Sequence, residues 1–297
     1  MERLIVFDFG GTKIKHGIIN DRVELITKSA YNTERERLDP FLTNLYATID
    51  RYIEKYEVSG IGISMPGYVD IDTGYVERAG AITALDGQNI KEILEDKYGL
   101  PVEVENDGNC AAIAEKMSGN ATDVDNFIVM TIGTGIGGGL FLNGDIYRGY
   151  RLRAGEFGMM VTYLPDDKKV ELNHTAAITY LIAEYKKLKK IEGPVEGTEV
   201  FAEARANPEV KNLIDHWIGY VAQGVYNLTV TLNPEKILIG GGVSANPYLI
   251  KEVNRQINDF RYWHEFTIPV MRCKYLNDAG LIGAYYHFKR MRETIHN

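Results

Sequence analysis

Cysteine is scarce in this chain of 297 residues, which contains only two. Cys110 and Cys273 lie far apart in the sequence, so they offer neither a disulfide framework nor the close spacing of a zinc knuckle. This usage is typical of a reducing compartment, and we expect a cytoplasmic protein. No apolar run approaches the roughly 18 residues that span a bilayer, and Asp8 interrupts the apolar N-terminal stretch. We therefore expect no membrane segment and no signal peptide.

Positive charge is also in deficit. The chain has 33 Lys and Arg residues against 41 Asp and Glu residues, which gives a formal net charge of -8. A broad nucleic-acid surface requires concentrated positive charge, so we expect no nucleic-acid partner and only a small polyanion as ligand. The P-loop pattern GxxxxGK[ST] is missing as well, which removes the Walker lysine role from Lys13.

Glycine-rich turns occur twice, in DFGGTK at Asp8–Lys13 and in TIGTGIGGG at Thr131–Gly139. Each turn follows a short apolar strand and leads into a second strand. Glycines let the backbone approach phosphate oxygens, and the turn amides and hydroxyls can donate hydrogen bonds to them. Two plain β-hairpins are the alternative, but the duplication favours two phosphate half-sites, and therefore two domains around one nucleotide. The predicted phosphate-binding residues are Gly10, Gly11, Thr12, Lys13, Gly133, Thr134 and Gly135.

Hydrophobic periodicity and turn residues predict an α/β protein. The predicted strands are 4–7, 24–33, 60–65, 101–105 and 236–239, with a hairpin over 127–147. The predicted helices are 39–56, 89–98, 108–117, 175–190, 198–206 and 210–232.

Two aspartates are candidates for chemistry. Asp107 follows a predicted strand and opens a helix, where a fixed carboxylate can accept the proton of a hydroxyl that attacks a γ-phosphate. The alternative is that Asp107 only caps this helix, since Asp is a preferred cap residue. Asp8 precedes the first glycine turn and can bind Mg²⁺, directly or through water.

Several motifs, taken in order, resemble the ROK family of sugar kinases and sugar-responsive repressors over nearly the whole chain. They are DFGGTK, Pro66–Asp70, ENDGNCAA, TIGTGIGGG, Gly155–Gly158, Gly240–Ser244 and Asp278–Ala284. The resemblance implies the actin-like ATPase fold, which is ribonuclease H-like, with two domains around a nucleotide and sugar cleft. We expect a smaller domain of residues 1–107 with a returning C-terminal helix at 281–297, a larger domain of residues 108–280, and a homodimer.

The resemblance also implies roles for individual residues. Asp107 would be the catalytic base, Asn106 and Glu156 would bind sugar hydroxyls, and Gly241 would lie on the adenosine side. The donor would be ATP with Mg²⁺, and the γ-phosphoryl would pass to the 6-hydroxyl of a hexose.

The chain departs from the family pattern after Gly158. Family members usually have a histidine where this chain has Met159, followed by a cysteine-rich loop that holds zinc. The loop at Met159–Val170 has neither histidine nor cysteine, so we predict an enzyme without zinc. The family's sugar-binding glutamate would correspond to Glu171. His174 is an alternative sugar contact, although a single histidine at a helix start is more often a polar surface residue.

Because the histidine is missing and the loop is shorter, we expect the binding site to be more open around the anomeric position of the sugar. This favours a glucose-type hexose or a β-glucoside as substrate, with N-acetylmannosamine as the competing choice. A sugar-sensing regulator without enzymatic activity is the hypothesis from a different class. We expect it to be wrong, because the first phosphate hairpin begins at Leu4 and leaves no room for a DNA-binding module ahead of it. A third hypothesis is an actin-like ATPase that acts as a scaffold. It would need no sugar contacts, so the presence of Asn106, Asp107 and Glu156 in the family pattern argues against it.

Overall fold

The computed structural model describes residues 2–164 and 168–296, with side chains described up to residue 293. The strands are β1 (Arg3–Phe9), β2 (Lys13–Asn20), β3 (Leu25–Asn32), β4 (Gly60–Met65), β5 (Tyr68–Val69), β6 (Val76–Arg78), β7 (Val102–Asn106), β8 (Phe127–Ile132), β9 (Ile136–Leu142), β10 (Asp145–Ile146), β11 (Val161–Tyr163), β12 (Lys169–Glu171), β13 (Lys236–Gly240) and β14 (Val270–Arg272). The helices are α1 (Leu38–Lys55), α2 (Ile90–Tyr98), α3 (Asp107–Ser118), α4 (Ile178–Lys189), α5 (Gly197–Glu203), α6 (Pro208–Leu232), α7 (Pro247–Ile257), α8 (Trp263–Phe266) and α9 (Ala279–His296).

The chain divides into two compact units. The first comprises Met1–Ser118, Arg148–Ala154 and Asp278–Asn297, and the second comprises Gly119–Tyr147 and Gly155–Asn277. The predicted boundary lay after residue 107, whereas this division keeps α3 in the first unit. Small residues explain the difference: a Cβ at Gly283 of α9 would lie 2.0 Å from the carbonyl oxygen of Cys110, so α3 and α9 are in close backbone contact.

The first unit is built on a five-stranded sheet in the order β3-β2-β1-β4-β7. β1 pairs antiparallel with β2 and parallel with β4, and β4 pairs parallel with β7. β1 is buried on both faces, and its side chains Ile5, Phe7 and Phe9 pack in one core with buried residues of α1 such as Phe41. On the other face, Gly62 lets α9 approach through Ala284. Helices therefore cover both faces, and the C-terminal ends of β1, β4 and β7 meet at one edge.

The second unit repeats the plan with a five-stranded sheet in the order β10-β9-β8-β13-β14. β8 pairs antiparallel with β9 and parallel with β13, as β1 does with β2 and β4. The long helix α6 buries Ile214, Trp217 and Val221, and the Trp217 indole donates a hydrogen bond of 3.0 Å to the carbonyl oxygen of Ala176. The duplicated hairpin in the sequence thus corresponds to a duplicated hairpin in the fold.

The predicted elements occur with small shifts at their ends. β4 has the predicted bounds, and α1 lies one residue earlier than predicted. α4 begins at Ile178 rather than near residue 175, because a short 3-10 turn at Leu172–His174 precedes it. None of the described helices is both long enough and apolar enough to cross a membrane.

Candidate functional site

Asp8 lies near the end of β1, in the row of residues that the parallel register aligns across the first sheet. Asp8 is paired with Ser64 of β4, and Ser64 is paired with Glu105 of β7. The Asp8 carboxylate accepts hydrogen bonds from Lys15 Nζ at 2.8 Å and from Ser64 Oγ at 3.1 Å. A Cβ at Gly280 would lie 2.5 Å from Asp8 Cγ, so glycine allows the start of α9 to pass beside the carboxylate.

The first glycine turn follows directly. The Gly10 amide closes it by donating to the carbonyl oxygen of Lys13 at 3.1 Å. Thr33 holds the turn from outside: its hydroxyl donates to the Gly10 carbonyl at 2.6 Å, and its amide donates to the Thr12 carbonyl at 3.0 Å. The side chains of Thr12 and Lys13 are exposed. The carbonyl groups of Gly10 and Thr12 therefore already accept hydrogen bonds, while the side-chain donors of Thr12 and Lys13 remain exposed.

The second glycine turn, in the second unit, is also closed by the amide of its first glycine, but over a shorter span. The Gly133 amide donates to the Gly135 carbonyl at 2.9 Å. The start of α4 holds the turn, because the Ile178 amide donates to the Gly133 carbonyl at 3.0 Å and the Thr179 hydroxyl donates to the Thr134 carbonyl at 3.0 Å. Thr134 and Gly135 are exposed.

Gly241 lies beside this second turn. It follows β13 with φ of +85°, and a Cβ there would lie 2.1 Å from the carbonyl oxygen of Ile132, the last residue of β8. Only glycine fits this left-handed position against a neighbouring backbone. The second unit therefore brings Gly133, Thr134, Gly135 and Gly241 to one edge of its sheet.

Asn106 and Asp107 form the junction between β7 and α3. Asn106 Oδ1 accepts hydrogen bonds from the amides of Gly108 at 2.9 Å and Asn109 at 3.1 Å, and Asn106 Nδ2 donates to the Gly67 carbonyl at 3.0 Å. Asn106 is therefore the main capping side chain of α3. Asp107 also accepts from the Gly108 amide at 2.8 Å, but its side chain is exposed at the first turn of the helix.

Glu105 opens the motif ENDGNCAA, but the sequence analysis assigned it no role. Its side chain is 1% exposed, and Oε1 accepts from the Asn106 amide at 2.8 Å and from Asn109 Nδ2 at 3.0 Å. Oε2 accepts from Nε of Arg148 at 2.9 Å and from its terminal nitrogen at 2.6 Å. Glu105 thus fixes the backbone immediately before Asp107.

The charge state of Glu105 follows from its neighbours. Burial favours the neutral acid, but His287, when it is protonated, and the Arg148 guanidinium lower the pKa of Glu105 below its ordinary value. Burial also lowers the pKa of His287 to about 4, so His287 is neutral near pH 7. Arg148, which stays charged, is the partner that keeps Glu105 ionised.

Glu156 lies in the second unit, directly before the short 3-10 turn at Phe157–Met159. Its carboxylate is half-buried, and burial raises its pKa. Within the described part of the chain, no residue forms a hydrogen bond with this carboxylate. A carboxylate that is removed from water without a partner is unfavourable in the free protein and is typical of a ligand-binding position.

Asn173 connects this region to the second glycine turn. Its Oδ1 accepts from the Ile136 amide at 2.7 Å, and a Cβ at Gly158 would lie 2.2 Å from the same atom. Asn173 therefore holds the end of the turn close to the segment that follows Glu156. No motif of the sequence analysis included this residue.

Glu171 and His174 form an exposed pair, with Oε2 and Nδ1 separated by 3.0 Å. Glu171 is opposite Val161 in the β11–β12 hairpin, and the side chain of Met159, where the family pattern has histidine, is 56% exposed. Residues 165–167 of the predicted loop lie outside the described residues. Across residues 2–164 and 168–296, no three His, Cys, Asp or Glu side chains are grouped as metal ligands. The absence of zinc stays a prediction.

Comparison with known proteins decides the family. The sequence model of the ROK family matches residues 4–291. The chain belongs to the ROK family. It is 38% identical to a β-glucoside kinase of Listeria monocytogenes over 96% of this chain and 97% of that protein.

Solved structures are also similar to the chain. A Listeria monocytogenes protein described as a candidate N-acetylmannosamine kinase has a TM-score of 0.86 and 37% identity, with 98% of this chain and 99% of that chain covered. A ROK family glucokinase from Streptomyces griseus, solved with glucose and AMPPNP, has a TM-score of 0.83 and 25% identity, with 95% and 97% covered. The predicted fold class and the predicted enzyme class, an ATP-dependent carbohydrate kinase, are confirmed.

Proposed function

We propose that this protein transfers the γ-phosphoryl group of ATP to the 6-hydroxyl of a β-glucoside or glucose-type hexose, with Asp107 as the base. The observation that carries the proposal is that Asn106 and Asp107 differ in their contacts at the β7–α3 junction. Asn106 accepts two amide hydrogen bonds at the helix start, so the cap of α3 does not depend on Asp107, although Asp107 also accepts from the Gly108 amide. Asp107 instead holds an exposed carboxylate at the sheet edge where Asp8 also lies.

In the proposed reaction, the sugar 6-oxygen attacks the γ-phosphorus while its proton passes to the Asp107 carboxylate. The bond between the γ-phosphorus and the bridging oxygen breaks, and ADP leaves. The carboxylate contributes orientation of the hydroxyl as well as proton acceptance. Glu105 and Arg148 act through the backbone and position the base.

The glycine turns are the proposed phosphate contacts. Their carbonyl groups are occupied by Thr33 in one turn and by Ile178 and Thr179 in the other. The remaining amides and the hydroxyls of Thr12 and Thr134 are donors that suit phosphate oxygens. Lys13, exposed beside the first turn, would add positive charge, and Gly241 would border the nucleoside.

Asp8 is the proposed contact for Mg²⁺, which would neutralise charge on the β- and γ-phosphates. Both Asp8 oxygens already accept a hydrogen bond, so a contact through water fits better than direct coordination. No other carboxylate is grouped with Asp8 as a metal site among the described residues. This fits magnesium, which commonly keeps several waters and takes its other ligands from phosphate.

The sugar contacts are proposed from the hydrogen-bonding groups that each candidate side chain has available. Asn106 has one amide hydrogen left after its bond to Gly67. Glu156, whose carboxylate forms no hydrogen bond with any of the described residues, can accept from two sugar hydroxyls. Glu171 is exposed and paired with His174, so either side chain can contribute once a ligand is bound. The β-glucoside choice rests on the relative at 38% identity.

The test is ADP release with Mg²⁺ and ATP over a panel of sugars: glucose, cellobiose, phenyl β-glucoside, N-acetylmannosamine, N-acetylglucosamine and fructose. We expect β-glucosides to give the highest kcat/KM. In Asp107→Asn, kcat should fall about 10³-fold, since general base catalysis contributes about 10²–10⁴-fold, while ATP affinity measured by calorimetry should be retained.

Retained turnover in Asp107→Asn would remove this residue from the base role. A preference for N-acetylmannosamine would favour the second candidate, which the structural similarity to the Listeria protein supports. Sugar binding without ADP release on every panel member would instead favour the sensor. Cytoplasmic location, a homodimer and the absence of a nucleic-acid partner belong to the same proposal.

A further inference from the structure

We propose that Tyr68, Glu77 and Arg153 form a subsite for the group attached to the anomeric oxygen of the sugar. We call these three residues the aromatic rim. The expected ligand is a second pyranose ring or an aryl group in β-linkage. The inference rests on the proposed function, because it assigns the part of the acceptor that glucose itself lacks.

The position of the rim follows from Asn106. Asn106 Nδ2 donates to the carbonyl oxygen of Gly67, and Tyr68 is the next residue along the chain. β5, which contains Tyr68, lies against β7, which delivers Asn106 and leads to Asp107. All of these residues belong to the first unit, so the rim and the proposed base are fixed on the same body.

The rim is a preformed arrangement of a ring, a cation and a carboxylate. The Arg153 guanidinium lies 4.6 Å from the centre of the Tyr68 ring, and Arg153 also forms an ion pair with Glu77. The Arg153 side chain is 39% exposed and the Glu77 side chain is 52% exposed, so both can still reach a ligand. This leaves donors and acceptors beside an aromatic ring at the surface.

The segment that carries Arg153 is held at both ends. Arg148 is anchored to the buried Glu105, and the Ala154 amide donates to the Arg148 carbonyl at 3.0 Å. Between these points Arg151 and Leu152 have φ of 56° and 58°, in the left-handed region that side chains disfavour. Such a conformation persists only where the surroundings impose it, and this is common at ligand contacts. The fold thus accepts strain in the segment that brings Arg153 to Tyr68.

The chemistry of the rim fits a carbohydrate or aryl group. One face of a pyranose presents C–H groups that pack on an aromatic ring, and its hydroxyls pair with planar carboxylate and guanidinium groups. In a β-glucoside the 6-carbon and the anomeric oxygen project from the two carbons that flank the ring oxygen. A group on the anomeric oxygen therefore leaves the sugar near the 6-hydroxyl but points away from it, as a subsite beside Asn106 requires.

The experiment measures kcat/KM for glucose, methyl β-glucoside, phenyl β-glucoside and cellobiose in the wild type, Tyr68→Ala, Tyr68→Phe and Arg153→Met. The quantity compared is the ratio of kcat/KM for each glycoside to that for glucose. We expect Tyr68→Ala to lower the ratio for cellobiose and phenyl β-glucoside about tenfold, which corresponds to one aromatic contact. Tyr68→Phe keeps the ring and should preserve the ratio for phenyl β-glucoside.

Tyr75→Ala is the matched control, because Tyr75 is 46% exposed in the same β5–β6 region and lies outside the rim. Unchanged ratios in both Tyr68→Ala and Arg153→Met would overturn the subsite. A wild type that phosphorylates glucose but no β-glucoside would overturn the proposed substrate together with the subsite. A wild type active on β-glucosides whose ratios do not respond to the rim variants would overturn the subsite alone.

Discussion

The two glycine turns are built alike but differ in charge. In each, the amide of the first glycine closes the turn, and outside donors occupy two carbonyl groups, one of them through a threonine hydroxyl. The first turn is preceded by Asp8, whereas the matching position before the second is Thr131. One turn thus has a carboxylate paired with Lys15, and the other has no charged side chain at that point.

The supports of the turns differ as well. A single residue, Thr33, holds the first turn through its amide and its hydroxyl. The second is held by the start of α4, whose N-cap Ala177 has no capping side chain. The positive end of the α4 dipole therefore lies beside the second turn. We propose that the difference corresponds to two tasks: the first turn would combine phosphate with a cation, and the second would bind phosphate through the backbone and the helix.

Among the changes that compare the two turns, the largest expected effect comes from removing the charge that distinguishes them. We expect Asp8→Asn to lower kcat/KM for ATP about 100-fold and to raise the Mg²⁺ concentration needed for half-maximal rate, since metal stabilisation of phosphate charge contributes several kcal/mol. The matched change Thr131→Val should lower kcat/KM by less than about threefold, a loss below 1 kcal/mol. Steady-state kinetics over a Mg²⁺ titration measure both.

Lys15→Met is the control for this comparison, because it removes the ion pair but keeps the Asp8 carboxylate. If Lys15→Met reproduced the altered Mg²⁺ dependence, the role of Asp8 would be to hold Lys15. Equal effects of Asp8→Asn and Thr131→Val would contradict the division of tasks between the turns.

The glycines that begin the turns allow a second test. A Cβ at Gly10 would lie 2.8 Å from the Lys13 carbonyl oxygen, whereas the nearest atom to a Cβ at Gly133 is 4.0 Å away. We expect Gly10→Ala to open its turn and to cost about 1–3 kcal/mol of unfolding free energy, as overpacking does, with a higher KM for ATP. Gly133→Ala should leave the unfolding free energy nearly unchanged and raise the KM for ATP, because its Cβ fills space that phosphate would use.

Urea unfolding and ATP kinetics on both variants separate these effects. Gly133→Ala with an unchanged KM for ATP would show that phosphate does not approach this turn closely. Gly10→Ala with wild-type stability would show that the first turn can shift without strain.

Local patterns made much of the backbone structure at the candidate site predictable. The glycine turns, the strand that leads to Asn106 and Asp107, and the left-handed Gly241 each leave a signal in a few adjacent residues. Contacts between distant residues leave none: Arg148 and Glu105 are 43 residues apart, and Thr33 belongs to no motif. The distinction between Asn106 as cap and Asp107 as exposed carboxylate also leaves no signal in the sequence, because both residue types favour the start of a helix.

The boundary of α3 shows the same limit. An alanine-rich helix with buried residues such as Ala112 and Ile113 can pack on either neighbouring unit, and the sequence pattern does not say which. The contact of Gly283 with the Cys110 backbone decides it, through residues far apart in the chain.

The smallest expected effect comes from removing the threonine hydroxyls that donate hydrogen bonds to carbonyl groups of the two turns. Thr33→Val removes the bond to the Gly10 carbonyl, and Thr179→Val removes the bond to the Thr134 carbonyl. Each change should cost about 1 kcal/mol and raise the KM for ATP about two- to fivefold, because a released carbonyl can turn toward phosphate. Thr43→Val, which removes a hydroxyl bond to Asp39 within α1, is the control that should leave the KM unchanged.

The two hydroxyls belong to different units and donate to different carbonyl groups. Their effects on the KM for ATP, expressed as free energies, should therefore add in the double variant within about 0.5 kcal/mol. A large effect at one turn and none at the other would mean that only one turn depends on its threonine, and the likeness of the two supports would then be geometric rather than functional. Similar, additive effects would indicate that each turn needs its carbonyl groups held back, whichever element supplies the donor.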